Sequence, residues 1–189
     1  MANIAVIVGS LRRESINLKI AKALIKLADQ EKLNHRFELV DIASLPLYNE
    51  DLWEDTPKSV SQFKIVIKNS DALLFVTPEY NRSLPAPLKN ALDWGSRPSN
   101  DNSWKDKPAA MLGASPGQVG TAVAQSQLRS VLLTLNTRVM GQPEVYLKFE
   151  EGMINEQDDI ATERTRQFLL KFLNRFDSWI NELTVPVNA

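Results

Sequence analysis

The chain has 189 residues, 43% of them apolar, enough to build the core of one ordinary domain. Its 22 basic residues nearly balance 23 acidic ones, so it lacks the basic excess that nonspecific nucleic-acid or polyanion binding needs. With no cysteine, disulfides, thiolate nucleophiles and cysteine-held metals are excluded, and with no apolar run near the ~20 residues of a membrane span and no basic-flanked leader core, the expectation is a soluble cytoplasmic protein.

Asn3–Val8 is a continuous β-branched run, the pattern of a strand covered on both faces. A helical pattern begins near Asn17. Leu18, Ala21, Leu24, Ile25 and Ala28 line one side of it, and Lys19, Lys22 and Lys26 line the other. Arg36–Ile42 reads as a second strand. Thr56-Pro57 reads as an N-cap followed by proline at the first helical position, with a helix running to about Asn69. Asp71–Thr77 reads as a third, buried strand, and Pro85–Trp94 as a short helix entered through prolines. Pro108–Ala114 follows as a fourth strand and Val119 to about Leu135 as a helix. Glu144–Phe149 reads as a fifth strand and Ile160–Leu183 as a long last helix. Five strands alternating with helices predict an α/β fold with a doubly wound parallel sheet in a single domain spanning 1–189.

Sheets of this kind take ligands outside the carboxyl ends of their strands, near the point where strand order reverses. The loops to inspect are therefore those after strands one, three and four, which read SLRRESIN, PEYNRSLPAP and SPGQVG. The first offers hydroxyls at Ser10 and Ser15, a guanidinium at Arg12, an amide at Asn17 and the N–H groups of a helix start. That donor set suits a phosphate monoester. It is neither G-x-G-x-x-G nor G-x-x-x-x-G-K-[ST], and the plainer alternative is a βα loop capped by Ser15 or Asn17. In the second loop the backbone of Pro78-Glu79-Tyr80-Asn81 can run along the edge of a planar ring. In the third, the glycines of Ser115-Pro-Gly117-Gln-Val-Gly120 allow backbone to approach a flat ligand closely. Taken singly, each of these two loops also reads as an ordinary turn.

The motifs together give a resemblance. The run Gly9-Ser-Leu-Arg12-x-x-Ser15-x-Asn17 is followed by Leu45-Pro-Leu-Tyr48-Asn-Glu-Asp51 and Thr77-Pro-Glu-Tyr-Asn81. After these come Leu88-Lys-Asn-Ala-Leu-Asp-Trp94 and the Ser115 to Gly120 loop. In this order and spacing the chain resembles the NAD(P)H-dependent FMN reductases, a flavodoxin-like family that includes quinone, chromate and azo reductases. The resemblance implies a three-layer flavodoxin-like fold with five parallel strands in the order 2-1-3-4-5. It also implies FMN as cofactor and NADPH or NADH as donor. Two electrons would pass to a quinone or similar acceptor by a ping-pong route. By similarity Ser10, Arg12, Ser15, Ile16 and Asn17 hold the phosphate. Pro78, Glu79, Tyr80 and Asn81 line the isoalloxazine, with Ser115 and Gly117 on its other edge. No side chain is implied as a catalytic acid or base, because the flavin carries the chemistry. Relatives are usually dimers or tetramers, which would bring Tyr48 and Asn49 near a neighbour's flavin and leave Asn90, Asp93 and Trp94 at the dimer contact. No nucleic acid, membrane or metal partner is implied.

Two positions depart from the family pattern. Arg82 stands where relatives often carry an aromatic residue, either as a substrate contact for anions or as a solvated charge. Val123 stands near a position where many chromate-reducing relatives have arginine, leaving Arg129 and Glu144 as interface partners or plain surface charges. His35, the only histidine, is expected on the surface, with no partner for a metal site or a catalytic triad. Trp53 and Trp104, in polar loops, are expected as interface anchors or exposed packing. The competing function is a flavodoxin-like electron carrier without its own NAD(P)H oxidation. Carriers of that kind are strongly acidic, and the net charge here is −1.

Overall fold

The computed structural model describes residues 1–184; residues 185–189 of the expected 1–189 domain lie outside the described part. Its strands are β1 (Asn3–Val8), β2 (Arg36–Leu39), β3 (Ala72–Val76), β4 (Pro108–Ser115), β5 (Arg138–Val139) and β6 (Tyr146–Lys148). Its helices are α1 (Ile16–Gln30), α2 (Lys58–Asn69), α3 (Ala86–Ser96), α4 (Ala122–Thr134) and α5 (Glu163–Thr184), with a single 3-10 turn at Glu50–Trp53. All pairings are parallel, in the order β2-β1-β3-β4-β5, with β6 also on β4. This is the flavodoxin-like order.

The alternation of the buried strands explains the three layers. Ile4, Val6 and Val8 of β1, with Leu74 and Val76 of β3, meet α1 and α5 on one face. Ala5 and Ile7, with Leu73 and Phe75, meet α2, α3 and α4 on the other. A strand apolar at every position is what a sheet covered on both sides requires.

The expected fifth strand, Glu144–Phe149, is found as β6, shorter at both ends, and a further two-residue strand, β5, precedes it. β5 pairs with Pro108 and Ala109 at the start of β4, and β6 pairs with Gly113–Ser115 at its end. Between them lies Gly141-Gln142-Pro143, and Pro143 has no N–H to give a ladder. A two-residue strand also leaves no periodicity to read. β2 ends at Leu39 rather than Ile42. The Thr56 cap is not found: Pro57 holds the N-cap position, α2 starts at Lys58, and the Thr56 hydroxyl donates to the Trp53 carbonyl (3.4 Å).

Two more expectations fail, both because contacts distant in sequence set burial. Trp104 is fully buried. Its Nε1 donates to the Leu92 carbonyl (3.0 Å), and its ring packs on Phe63 and Phe75. Gly95 makes room for it, since a Cβ there would lie 2.4 Å from the indole. The His35 side chain is 7% exposed rather than on the surface. Its Nδ1 accepts the Ala2 N–H (3.2 Å), and its Nε2 faces Asp177 of α5 (2.7 Å), which ties the last helix to the edge of the sheet. Trp53 is half-buried and meets Trp94 edge-on at 5.1 Å within the same chain.

The long loop after α3 is anchored by Lys64. Its ammonium donates to the carbonyls of Arg97 and Asp101 (2.8 Å for the latter) and pairs with the Asp101 carboxylate at 3.4 Å. Burial pushes the Lys64 pKa below the usual lysine value, with Asp101 opposing that shift.

Candidate functional site

Three loops meet at the carboxyl ends of β1, β3 and β4. The first leads into α1. Ser15 is extended (φ −72°, ψ 122°) and its Oγ accepts the Leu18 N–H at 3.2 Å, so it is the N-cap. The Lys19 N–H goes to the Ser15 carbonyl. That leaves the N–H groups of Ile16 and Asn17, at the positive end of the helix dipole, as available donors. Ser10 Oγ lies 3.4 Å from both the Arg12 N–H and the Tyr80 hydroxyl. The side chains of Arg12 and Arg13 are exposed, and the neighbouring Glu14 is taken by Lys19 (3.2 Å). The expectation for Asn17 needs correction at its side chain. The amide is 2% exposed and clasps Ala114 of β4 through both atoms, each at 2.9 Å. Only the backbone of Asn17 can serve a phosphate.

The second loop follows β3. Tyr80 and Ser83 exchange two backbone hydrogen bonds, 3.1 and 3.0 Å, across Asn81 and Arg82. Both central residues are left-handed, at φ 50° and 60°, which makes this a tight type I′ turn. Helix α4 clamps it. Gln127 donates to the Arg82 carbonyl (3.0 Å) and accepts from the Ser83 hydroxyl (2.7 Å). Glu79 is nearly buried. One of its carboxylate oxygens caps α4 by accepting the N–H groups of Val123 (3.0 Å) and Ala124 (3.1 Å), and the other pairs with Arg82 at 3.1 Å. The carboxylate therefore reaches the next helix rather than standing free toward a ring. Gln127 carries no sequence signal that would single it out.

The third loop follows β4. Ser115 Oγ donates to the Gly120 carbonyl (2.6 Å), closing the loop on itself. Gly120 has φ +61°, and a Cβ there would come within 2.9 Å of Tyr146 backbone, so the position requires glycine. Gly117 is open: a Cβ there would meet nothing nearer than Ser115 Oγ at 3.6 Å. Between this loop and the Asn81-Arg82 turn runs a cleft of about 340 Å³, with Pro116, Gly117 and Val119 in its wall. A shallower hollow of about 270 Å³ joins Ser10, Arg12 and Arg13 to the end of β2.

Tyr48 and Asn49 are not brought into that cleft. Tyr48 packs its ring on Trp94 at 5.0 Å and gives its N–H to Asn90 Oδ1 (2.8 Å). Asn49 accepts the Asp51 N–H (3.1 Å) and so caps the 3-10 turn. Asn90 and Trp94 both donate to the Pro46 carbonyl (2.9 and 2.7 Å), and Trp94 is fully buried. Those two side chains are therefore spent within their own chain. Asp93 pairs with Lys89 (2.7 Å). Arg129 and Glu144 pair with each other at 3.4 Å.

The family described as NADPH-dependent FMN reductase matches residues 2–152 of the chain. The chain belongs to that family. A 2-hydroxy-1,4-benzoquinone reductase from Burkholderia sp. is 47% identical over 182 residues, covering 96% of this chain and 98% of the relative. A quinone reductase from Pseudomonas putida is 44% identical over 179 residues, covering 94% of each. Among solved structures, a flavoenzyme NAD(P)H:(acceptor) oxidoreductase from Paracoccus denitrificans superposes with a TM-score of 0.92 at 45% identity, over 96% of this chain and 98% of the other. A flavodoxin from Pseudomonas aeruginosa shares the fold at a TM-score of 0.59 and 17% identity, over 95% and 99% of the two chains.

Among the described residues no helix is long and apolar enough to cross a membrane, and no group of three histidines, aspartates or glutamates stands together as metal ligands.

Proposed function

We propose that this member of the FMN reductase family is an NAD(P)H-dependent quinone reductase that holds FMN across the three loops and works by ping-pong exchange. The observation that carries the reading is the convergence of free donors at the start of α1 with an open, glycine-walled cleft beside the Asn81-Arg82 turn. The names of the most similar relatives support the acceptor class. Bound FMN supplies two-electron transfer between a nicotinamide and the acceptor.

The chain's own residues bind and position. Ser10, Arg12 and the backbone N–H groups of Ile16 and Asn17 hold the phosphate, with Ser15 keeping the helix end in shape. The backbone of Pro78–Asn81 lies along one edge of the ring, and Ser115 and Gly117 along the other. The one open face of the flavin held there would take donor and acceptor in turn, which is the reason for the ping-pong order. Arg82 stands at the rim as the contact for the exchanging substrates. A second copy brings Tyr48 and Asn49 to the open side of the ring, so the working form is a dimer or tetramer of one-domain chains, located in the cytoplasm where nicotinamide donors circulate.

The test mixes flavin-loaded protein anaerobically with NADPH or NADH, then adds benzoquinone. Bleaching by one equivalent of nicotinamide, and recovery of the flavin bands with one equivalent of quinone, is the expected result. If neither nicotinamide bleaches the flavin although strong chemical reductants do, the protein is an electron carrier of the flavodoxin kind.

A further inference from the structure

The loop after β1 has two sides. Toward β3, Ser10 reaches the Tyr80 hydroxyl at 3.4 Å, on the way to the ring cleft. Toward β2, the same loop borders the hollow of about 270 Å³. Neither Ser15, Ile16 and Asn17 at the helix start nor the Asn81-Arg82 turn contributes to its wall. A flavin seated across the three loops therefore leaves this hollow open.

The hollow joins an apolar shelf to unpaired positive charge. Val8 and Ile42 are buried beneath it, while Leu11 and Leu39 stand on its borders, 50% and 42% exposed. Large apolar side chains left this open beside a buried apolar floor are better served by a ligand than by water. Arg12 and Arg13 border the same hollow, both exposed. Among the described residues no side chain pairs with either guanidinium, so each is free to turn to a ligand there. Asp41 is the one acidic residue in the wall, and its Oδ1 is turned to the N–H groups of Ala43 (2.8 Å) and Ser44 (3.4 Å). A flat heterocycle on the leucines, carrying phosphate to the arginines, fits this combination.

The position narrows the ligand. The hollow lies at the carboxyl ends of β2 and β1, and the ring cleft lies at those of β3 and β4. With neighbouring strands ~4.8 Å apart, the two are about 10 Å apart across the sheet. An extended nicotinamide dinucleotide is long enough to span them. The strand end next to a phosphate-binding helix start is also where doubly wound sheets seat an adenosine ribose. We infer that this hollow is the subsite for the adenosine phosphate end of the nicotinamide donor. The inference rests on the NAD(P)H-dependent reading above and adds where the non-reacting half of the donor docks. Arg12 is committed to the flavin phosphate once flavin is bound, so Arg13 is the residue that serves the donor. An adenylate is also half of FAD, and the experiment separates the two sources.

The donor is tested in halves. ADP and inorganic pyrophosphate are titrated into the oxidised, FMN-loaded protein by calorimetry, with no turnover. Reduced nicotinamide mononucleotide, which lacks the adenylate, is compared with NADPH and NADH in the concentration needed to bleach the flavin at half the maximal rate. ADP should bind at least about tenfold more tightly than pyrophosphate, because the base adds apolar contact. Arg13→Ala should weaken ADP and both dinucleotides about five- to tenfold, a charge-assisted contact softened by exposure. Ala43→Trp, at an exposed position on the border of the hollow, should weaken them by occupying the shelf without changing any charge. Both variants should keep the parent's response to the mononucleotide and its FMN, and melt within about 2 °C of it.

ADP that binds no better than pyrophosphate overturns the inference, since the arginines would then be a plain anion site. So do variants that weaken the mononucleotide as much as the dinucleotides, because the disturbance would lie in the ring cleft. A third contrary result uses the apoprotein: FAD binding more tightly than FMN, with Arg13→Ala removing that advantage while ADP ignores the FMN-loaded protein, would give the hollow to the flavin's own adenylate. Failure of every nicotinamide to bleach the flavin counts against the broader reading, whereas the ADP titration decides the subsite without any electron transfer.

Discussion

Arg12, in the loop after β1, and Asn17, in the first turn of α1, stand five residues apart and have opposite fates. Arg12 is exposed, and among the described residues its side chain has no partner, its backbone N–H going to Ser10. Its guanidinium contributes little to the fold and is available to a ligand. Arg12→Ala should therefore leave thermal unfolding of the flavin-free protein unchanged. It should weaken FMN by about tenfold to a hundredfold, the worth of a charge-assisted hydrogen bond, and weaken riboflavin far less, because riboflavin lacks the phosphate. Titration of the apoprotein with both flavins checks this, and equal losses for the two would remove Arg12 from the phosphate site. In the sequence Asn17 and Arg12 look alike, because both residue types can donate to phosphate. What separates them is Ala114, which lies across from Asn17 through a contact that spans 97 positions. His35 and Trp104 were misread for the same reason: what buries each of them is the return of a distant segment.

At the scale of elements, the Asn17 clasp joins the start of α1 to the end of β4, and so links the phosphate loop to the glycine loop. The two bonds satisfy both the N–H and the carbonyl of Ala114 in a dry setting. Asn17→Ala leaves both unpaired, and an unsatisfied buried polar group costs about 1–3 kcal/mol. The expected loss of stability is about 2–4 kcal/mol in chemical denaturation of the apoprotein, with a smaller share for Asn17→Ser if its hydroxyl keeps one bond. Stability of the alanine variant within 0.5 kcal/mol of the parent, a ~0.5 kcal/mol margin typical of surface changes, would show that the clasp is dispensable. The elements with strong periodicity were legible: β1, β3, β4, α1 and α5 follow from runs of apolar residues at spacings of two faces or one. The additional strand β5 was not, because it is two residues long and defined wholly by its partner at Pro108 and Ala109. The Asn81-Arg82 turn was also hidden, since Asn-Arg lacks the glycine that announces a type I′ turn.

For the whole molecule, the proposed assembly turns on the segment Leu45–Asp51. Its inner side is fixed within the chain, where Asn90 and Trp94 hold the Pro46 carbonyl. Its outer side presents Leu47, which is 81% exposed. A large apolar side chain held this far out on a rigid support is poorly served by water and well served by a partner. The proposed assembly seats it on a second copy, which carries Tyr48 and Asn49 toward that copy's cleft, and two-fold symmetry repeats the arrangement. Light scattering of the flavin-loaded protein should then give at least a dimer. Leu47→Asp places a charge where the contact must be dry and should raise the dissociation constant of the dimer about tenfold or more. It should not unfold the chain, because the Pro46 anchor is untouched. The separated monomer should keep its flavin, whose phosphate site lies within one chain, and show a raised KM for quinone, because the neighbour's Tyr48 and Asn49 are gone. A parent protein that is monomeric, flavin-loaded and fully active at assay concentration would refute the shared site, and so would a monomeric Leu47→Asp variant with the parent's KM.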